Sequence, residues 1–126
     1  MQKNILYIEL KTGYNDDSTA WVGLVDYSKT GRTAYFNGKA FKRGHGTNGN
    51  YFDIETGDEY WISGIKNDGS NRHWAGSGKI RIEKQAIEEY LQLTNNKILD
   101  KKKFIVIENC QKTDKHKFEE IENELL

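Results

Sequence analysis

A chain of 126 residues, 36% hydrophobic and 30% charged, fits one domain with one modest core. Its 19 basic and 19 acidic residues cancel, which argues against a surface that is basic throughout and traps nucleic acid or anionic membrane. Cys110 is the lone cysteine, so no intramolecular disulfide can form, and the start MQKNILYIELK has too short an apolar run for a signal peptide; a cytoplasmic protein with no membrane segment is expected.

The composition divides the chain. All 12 glycines lie between Gly13 and Gly78, and most aromatic residues lie at or before Trp74. Residues 1–82 have the turn formers and aromatics of strands. Residues 83–126 have no glycine and are dominated by Lys, Glu, Ile and Leu, which suits helices.

Ile5 to Lys11 alternates as a strand, with Leu6, Ile8 and Leu10 on one face and Tyr7, Glu9 and Lys11 on the other. Gly13 to Ser18 is a polar loop. Ala20 to Tyr27 is a second strand, with Val22 and Leu24 opposed to Trp21, Val25 and Tyr27. A turn over Ser28–Arg32 leads to a third strand, Thr33 to Phe36. Asn37-Gly38 then signals a two-residue hairpin, because both central positions of a type I′ turn need positive φ. Lys39 to Arg43 returns as the fourth strand.

Gly44 to Asn50 reads as a loop, Tyr51 to Glu55 as a fifth strand, and Glu59 to Lys66 as a sixth. Asn67 to Asn71 is a tight turn. Trp74 to Glu83 ends the strand-rich part, with Ile80 and Ile82 on one face and Lys79 and Arg81 on the other. Short strands at this spacing predict a mainly β, α+β protein: a small SH3-like barrel or a sandwich, with a helical extension at its C-terminus. Closure into a barrel would also hide strand edges.

Lys84 to Leu93 has helical spacing at Ile87, Tyr90 and Leu91. Phe104 to Ile107 (FIVI) reads as a buried strand that pairs with the barrel or covers its side. Asp114 to Leu126 is an amphipathic helix with Phe118, Ile121 and Leu125 on its apolar side. Its first turn is basic and its end acidic, which opposes the macrodipole, so it needs packing to persist. The expected organisation is a barrel domain over 1–95 and a strand-plus-helix extension over 96–126, packed on it.

The motifs Ile8-Glu9-Leu10-Lys11-Thr12-Gly13-Tyr14, Tyr35-Phe36-Asn37-Gly38-Lys39-Ala40-Phe41, Glu55 to Gly64 (ETGDEYWISG) and Arg72-His73-Trp74-Ala75-Gly76 stand together between Ile8 and Leu91. On them the chain resembles a family of small uncharacterised bacterial proteins. That resemblance implies no activity, ligand or catalytic residue.

Several segments could carry chemistry. Gly44 to Gly49 fits G-x-G-x-x-G, but strand-like Tyr51 to Ile54 follows it where a dinucleotide site needs a helix, so it reads as a hairpin loop. A backbone nest for an anion, helped by Arg43 and His45, is the functional alternative. Asp53 and Glu55 would share a strand face and, with His73, could serve a small metal-dependent, nuclease-like hydrolase. Asn67 to Asn71 lacks the terminal Glu of a calcium loop and reads as an Asx turn.

His45, His73 and His116 have no metal-ligand spacing, and no cofactor or metal is implied. Arg72-His73-Trp74 places a cation, an imidazole and an indole together. With Trp61 and Tyr14, and with Lys79 and Arg81 on the next strand, it could hold a nucleotide or single-stranded nucleic acid. The opposing reading is that Trp61 and Trp74 pack structurally. The expectation is therefore a binding module, rather than an enzyme, for a protein partner or a nucleotide-like ligand. Its contacts would come from Tyr14, Arg43, His45, Trp61, Arg72, His73 and Trp74.

Overall fold

The structure, a computed structural model, describes residues 4–11, 19–44, 49–70 and 78–124, with side chains only as far as Glu119. Strand β1 (Asn4–Lys11) pairs antiparallel with β2 (Ala20–Tyr27) along one edge and with β6 (Glu59–Ser63) along the other. Between them run β3 (Thr33–Phe36), β4 (Lys39–Arg43) and β5 (Tyr51–Asp53), each antiparallel to its neighbours. The result is a closed six-stranded antiparallel barrel, and the protein is mostly β, as its turn spacing predicted.

The alternation along each strand decides what fills the barrel. Ile8, Val25, Phe36, Phe41, Tyr60 and Ile62 point inward and are buried together. Phe41 and Tyr60 meet with ring centroids 4.6 Å apart. Asn37 and Gly38 take φ of 54° and 74°, so the two-residue turn joining β3 to β4 is the positive-φ turn that Asn-Gly signals.

One edge of β2 is divided between two partners. Asp26 and Tyr27 pair with β3, whereas Trp21 and Val22 pair in parallel with β7 (Ile80–Glu83). Strand β8 (Phe104–Ile107) then adds in parallel to β7. Parallel neighbours need a long crossover, and here it contains a 3-10 turn (Lys84–Ala86) and helix α1 (Ile87–Leu93). So β7 does not close the barrel but leaves it as the first of two outside strands.

These additions bury two patches on the barrel's outer surface. Tyr7, Val22, Ile82, Ala86, Tyr90 and Phe104 form one core beneath α1. Tyr90 and Phe104 meet edge-to-face at 5.1 Å. Glu88 and Glu89 lie in the first turn of α1, where carboxylates suit the positive end of the helix. The second patch joins Tyr35 and Ala40 to Phe118 of α2 (Lys115–Glu124). Phe118 is wholly buried, and Lys115 and Lys117 reach Asp26 and Glu55 at 2.8 and 3.2 Å. The basic first turn of α2, unfavourable for an isolated helix, thus finds carboxylates on the barrel.

Several element ends differ from the sequence expectation. The fifth strand stops at Asp53, because Asp53 Oδ1 accepts from the Glu55 amide at 2.8 Å and turns the chain. The sixth stops at Ser63. Residues 84–86 form a 3-10 turn before the α-helix. The early part of the expected Trp74–Glu83 strand, through residue 77, lies outside the described residues, as does Leu125. Among the described residues, no helix is long and apolar enough to cross a membrane.

Candidate functional site

Of the expected contact residues, Arg43 and Trp61 are described, whereas Tyr14, His45, Arg72, His73 and Trp74 lie outside the described residues. Cross-strand register sets Arg43, Tyr51 and Tyr60 on one face of the sheet. The Arg43 guanidinium lies 5.6 Å from the Tyr51 ring centre. Trp61 follows Tyr60 and therefore points to the opposite face, beside its cross-strand neighbour Glu9. Its side chain is 41% exposed, whereas Tyr60 is buried in the barrel and Tyr35 lies beneath Lys115. Trp61, Tyr60, Tyr35 and Arg43 therefore form no common aromatic platform.

The carboxylate pair expected at Asp53 and Glu55 does not form on one strand face. Asp53 is buried, and its Oδ2 faces Lys39 Nζ at 3.3 Å while Oδ1 accepts from the turn amides. Glu55 sits in the following turn and pairs with Lys117. Both groups are engaged in holding the turn and α2. Among the described residues, no group of three or more His, Cys, Asp or Glu could hold a metal ion.

A different carboxylate stands out. Glu83 is 2% exposed, at the end of β7 where the partners of β2 diverge. Its Oε1 accepts from the Leu24 amide at 2.7 Å, and its Oε2 from the Cys110 amide at 2.6 Å. The side chain thereby replaces the strand that β2 lacks at Leu24, and it fastens the segment after β8 to the barrel. Thr113 Oγ1 donating to Lys39 O at 2.8 Å fastens the same segment further on.

A cleft of about 390 Å³ lies between this segment and the barrel, with Tyr35, Asn37, Glu83, Cys110, Gln111 and Lys115 among its walls. Burial pushes the Cys110 thiol up to about 11, and the charge and hydrogen bond of Glu83 add to the effect. At neutral pH the sulfur is a thiol, not a nucleophilic thiolate. Both Glu83 oxygens accept amide protons, and the carboxylate is also hydrogen-bonded to the Cys110 side chain, so the pair fastens the segment after β8 to the barrel.

The outer edge of β8 offers backbone groups and apolar side chains together. Among the described residues, strand β8 ends the sheet, with β7 on one side and no strand on the other. Ile80 N donates to Lys103 O at 2.8 Å, which turns the backbone groups of Lys103, Ile105 and Ile107 toward β7. Those of Val106 turn to the free side, with the Phe104 carbonyl and the Glu108 amide. Ile105 is 47% and Val106 42% exposed, on opposite faces of the strand. FIVI is not the buried strand that its four apolar residues predict: only Phe104 is buried outright, where its ring meets Tyr90. The signal for a free edge was the flanking charge, Lys101–Lys103 before FIVI and Glu108 after it.

These features define a small closed β-barrel extended by two parallel outside strands, the last with an open edge. No protein-family model, curated protein or solved structure matches the chain.

Proposed function

We propose that the chain is a binding module that takes an extended protein segment along the free edge of β8. The observation that carries this reading is the coincidence, at Val106, of outward backbone groups and an exposed apolar side chain. Added strands gain affinity from main-chain hydrogen bonds and selectivity from alternate side chains. A bare apolar edge is otherwise a hazard that proteins blunt, and this strand has charges only at its ends. The expected ligand is a short peptide with alternating apolar residues.

Selection from a random peptide display library on the full chain tests this. Enriched peptides should be apolar in alternation and should lose binding to Val106→Pro, which removes an outward amide that β7 does not use. Enriched peptides that bind Val106→Pro equally well, or no enrichment at all, would overturn the reading.

A second reading, recognition of a nucleotide or single-stranded nucleic acid, is supported by Trp61, whose exposed indole could stack on a base. A short oligonucleotide should then quench tryptophan emission at low salt, less so in Trp61→Ala. Unchanged emission at low salt removes this reading.

A further inference from the structure

We infer that the segment received by β8 is β8 of a second copy of this chain, forming a two-fold dimer with one continuous sheet across it; this rests on the strand-addition reading above. The first support is the placement of the free backbone groups. A two-fold axis perpendicular to the sheet must pair residues on the same face, and one such register pairs Val106 with Val106 of the other copy. In that register the two Val106 residues exchange both hydrogen bonds. Each Glu108 amide then faces the Phe104 carbonyl of the other copy. The Phe104 amide, already donated to Asp100 O at 3.1 Å, is not required. Thus the groups left open on one edge are those that a second, identical edge needs.

Side chains and charge agree with this register. Ile105 opposes Ile107 of the other copy on one face, and the Val106 pair meets on the other. Glu108 of each copy comes alongside the Lys101–Lys103 run that precedes Phe104 in its neighbour. Glu108 is 82% exposed while paired with Lys84 at 2.5 Å, so it is positioned at the surface where a neighbouring lysine can share it. A chain of zero net charge also has no overall self-repulsion to overcome. The strand is only four residues long, so the dimer should depend on concentration rather than be permanent.

Sedimentation of the full chain over a hundredfold concentration range tests the inference. The expected result is a monomer–dimer equilibrium that Val106→Pro and Ile105→Lys each shift at least tenfold toward monomer, while far-ultraviolet dichroism stays unchanged. Raising salt should also weaken it, through the Lys–Glu contacts. Glu108→Lys, which leaves the strand itself intact, should weaken it as well. A wild-type chain that stays monomeric throughout overturns the dimer. If peptide selection still returns peptides sensitive to Val106→Pro, only the identity of the partner has failed. If both experiments fail, the docking edge fails with them. A dimer that persists unchanged in both Val106→Pro and Ile105→Lys would place the interface elsewhere and also overturn the inference.

Discussion

Glu83 occupies the space that a side chain at Gly23 would need. A Cβ on residue 23 would lie 2.5 Å from Glu83 Oε1 and 2.6 Å from the Phe36 ring. Glycine is required there by this close approach, since the carboxylate must reach the Leu24 amide beside it. Gly23→Ala should therefore destabilise the fold by about 1–3 kcal/mol through overpacking. Glu83→Ala should cost about 1–3 kcal/mol for each of the two amides it leaves without an acceptor. The double variant should cost less than the sum, because the new methyl group enters the vacated space. Urea unfolding of the four proteins measures this, and strict additivity would show that the two residues do not share the site.

Among the described side chains of α2, Phe118 holds the helix to the barrel by burial, beside the ion pairs of Lys115 and Lys117. Its first turn carries Lys115, His116 and Lys117, the wrong charge for that end. Phe118→Ala should release α2, with a local cost of about 3–5 kcal/mol for a buried phenylalanine. Amide exchange over residues 115–119 should rise sharply while the barrel strands keep their protection. Unchanged protection in α2 would mean that the ion pairs of Lys115 and Lys117 suffice.

Stability should fall as pH rises above about 9. Burial raises the Cys110 thiol from 9.0 to about 11, and Tyr27 and Tyr60 from 10.0 to about 12. For Tyr27 the neighbouring Tyr51 adds to burial, and for Tyr60 the charges of Asp53 and Asp58 do. Between the unfolded and folded values, the folded chain keeps protons that the unfolded chain has lost. The unfolded state then binds fewer protons, so the slope of stability against pH is negative in this range. Chemical denaturation midpoints from pH 8 to 11 should show the decline. Cys110→Ser should remove its first part, near pH 9–10. A flat profile in the wild type would contradict these shifts.

Thr33 is fully buried, and its hydroxyl has no hydrogen-bond partner among the described residues. Thr33→Val keeps the branched shape that suits a strand and removes the unpaired group. It should raise stability by roughly 1 kcal/mol, seen as a higher urea midpoint with an unchanged slope. A loss of stability would reveal a partner for that hydroxyl.

The local grammar of the barrel was legible in the sequence. Alternation separated the two faces of β1 and β2, Ile8 from Tyr7 and Val25 from Val22, and Asn37-Gly38 located its hairpin. The divided edge of β2 was not legible, because parallel pairing of Val22 with Ile82 joins residues far apart in the chain and leaves no turn signal between them. Glu83 read as the polar end of a strand. Its burial depends on the absence of a side chain at Gly23, on another strand. FIVI read as buried because four apolar residues do not reveal which side of a sheet they end. The helix α2 was legible from its amphipathic spacing, and Phe118 on its apolar side is buried. The candidate site was less so: Trp61 and Arg43 fall on opposite faces, and Asp53 serves its own turn.

The ring of six strands is complete by Ser63, the last residue of β6. A nascent chain could therefore finish its hydrogen-bonded cylinder once Ser63 clears the ribosome, before β7 and the later elements have left the exit tunnel. The later strands and helices would then dock on an existing surface, one layer at a time. Such vectorial assembly would let the barrel act as template for β7, then β8 with its open edge, and finally α2. On stalled ribosomal complexes, protease resistance of the first 66 residues should arise before β7 leaves the exit tunnel; resistance that appears only with the whole chain would show that barrel and extension fold together.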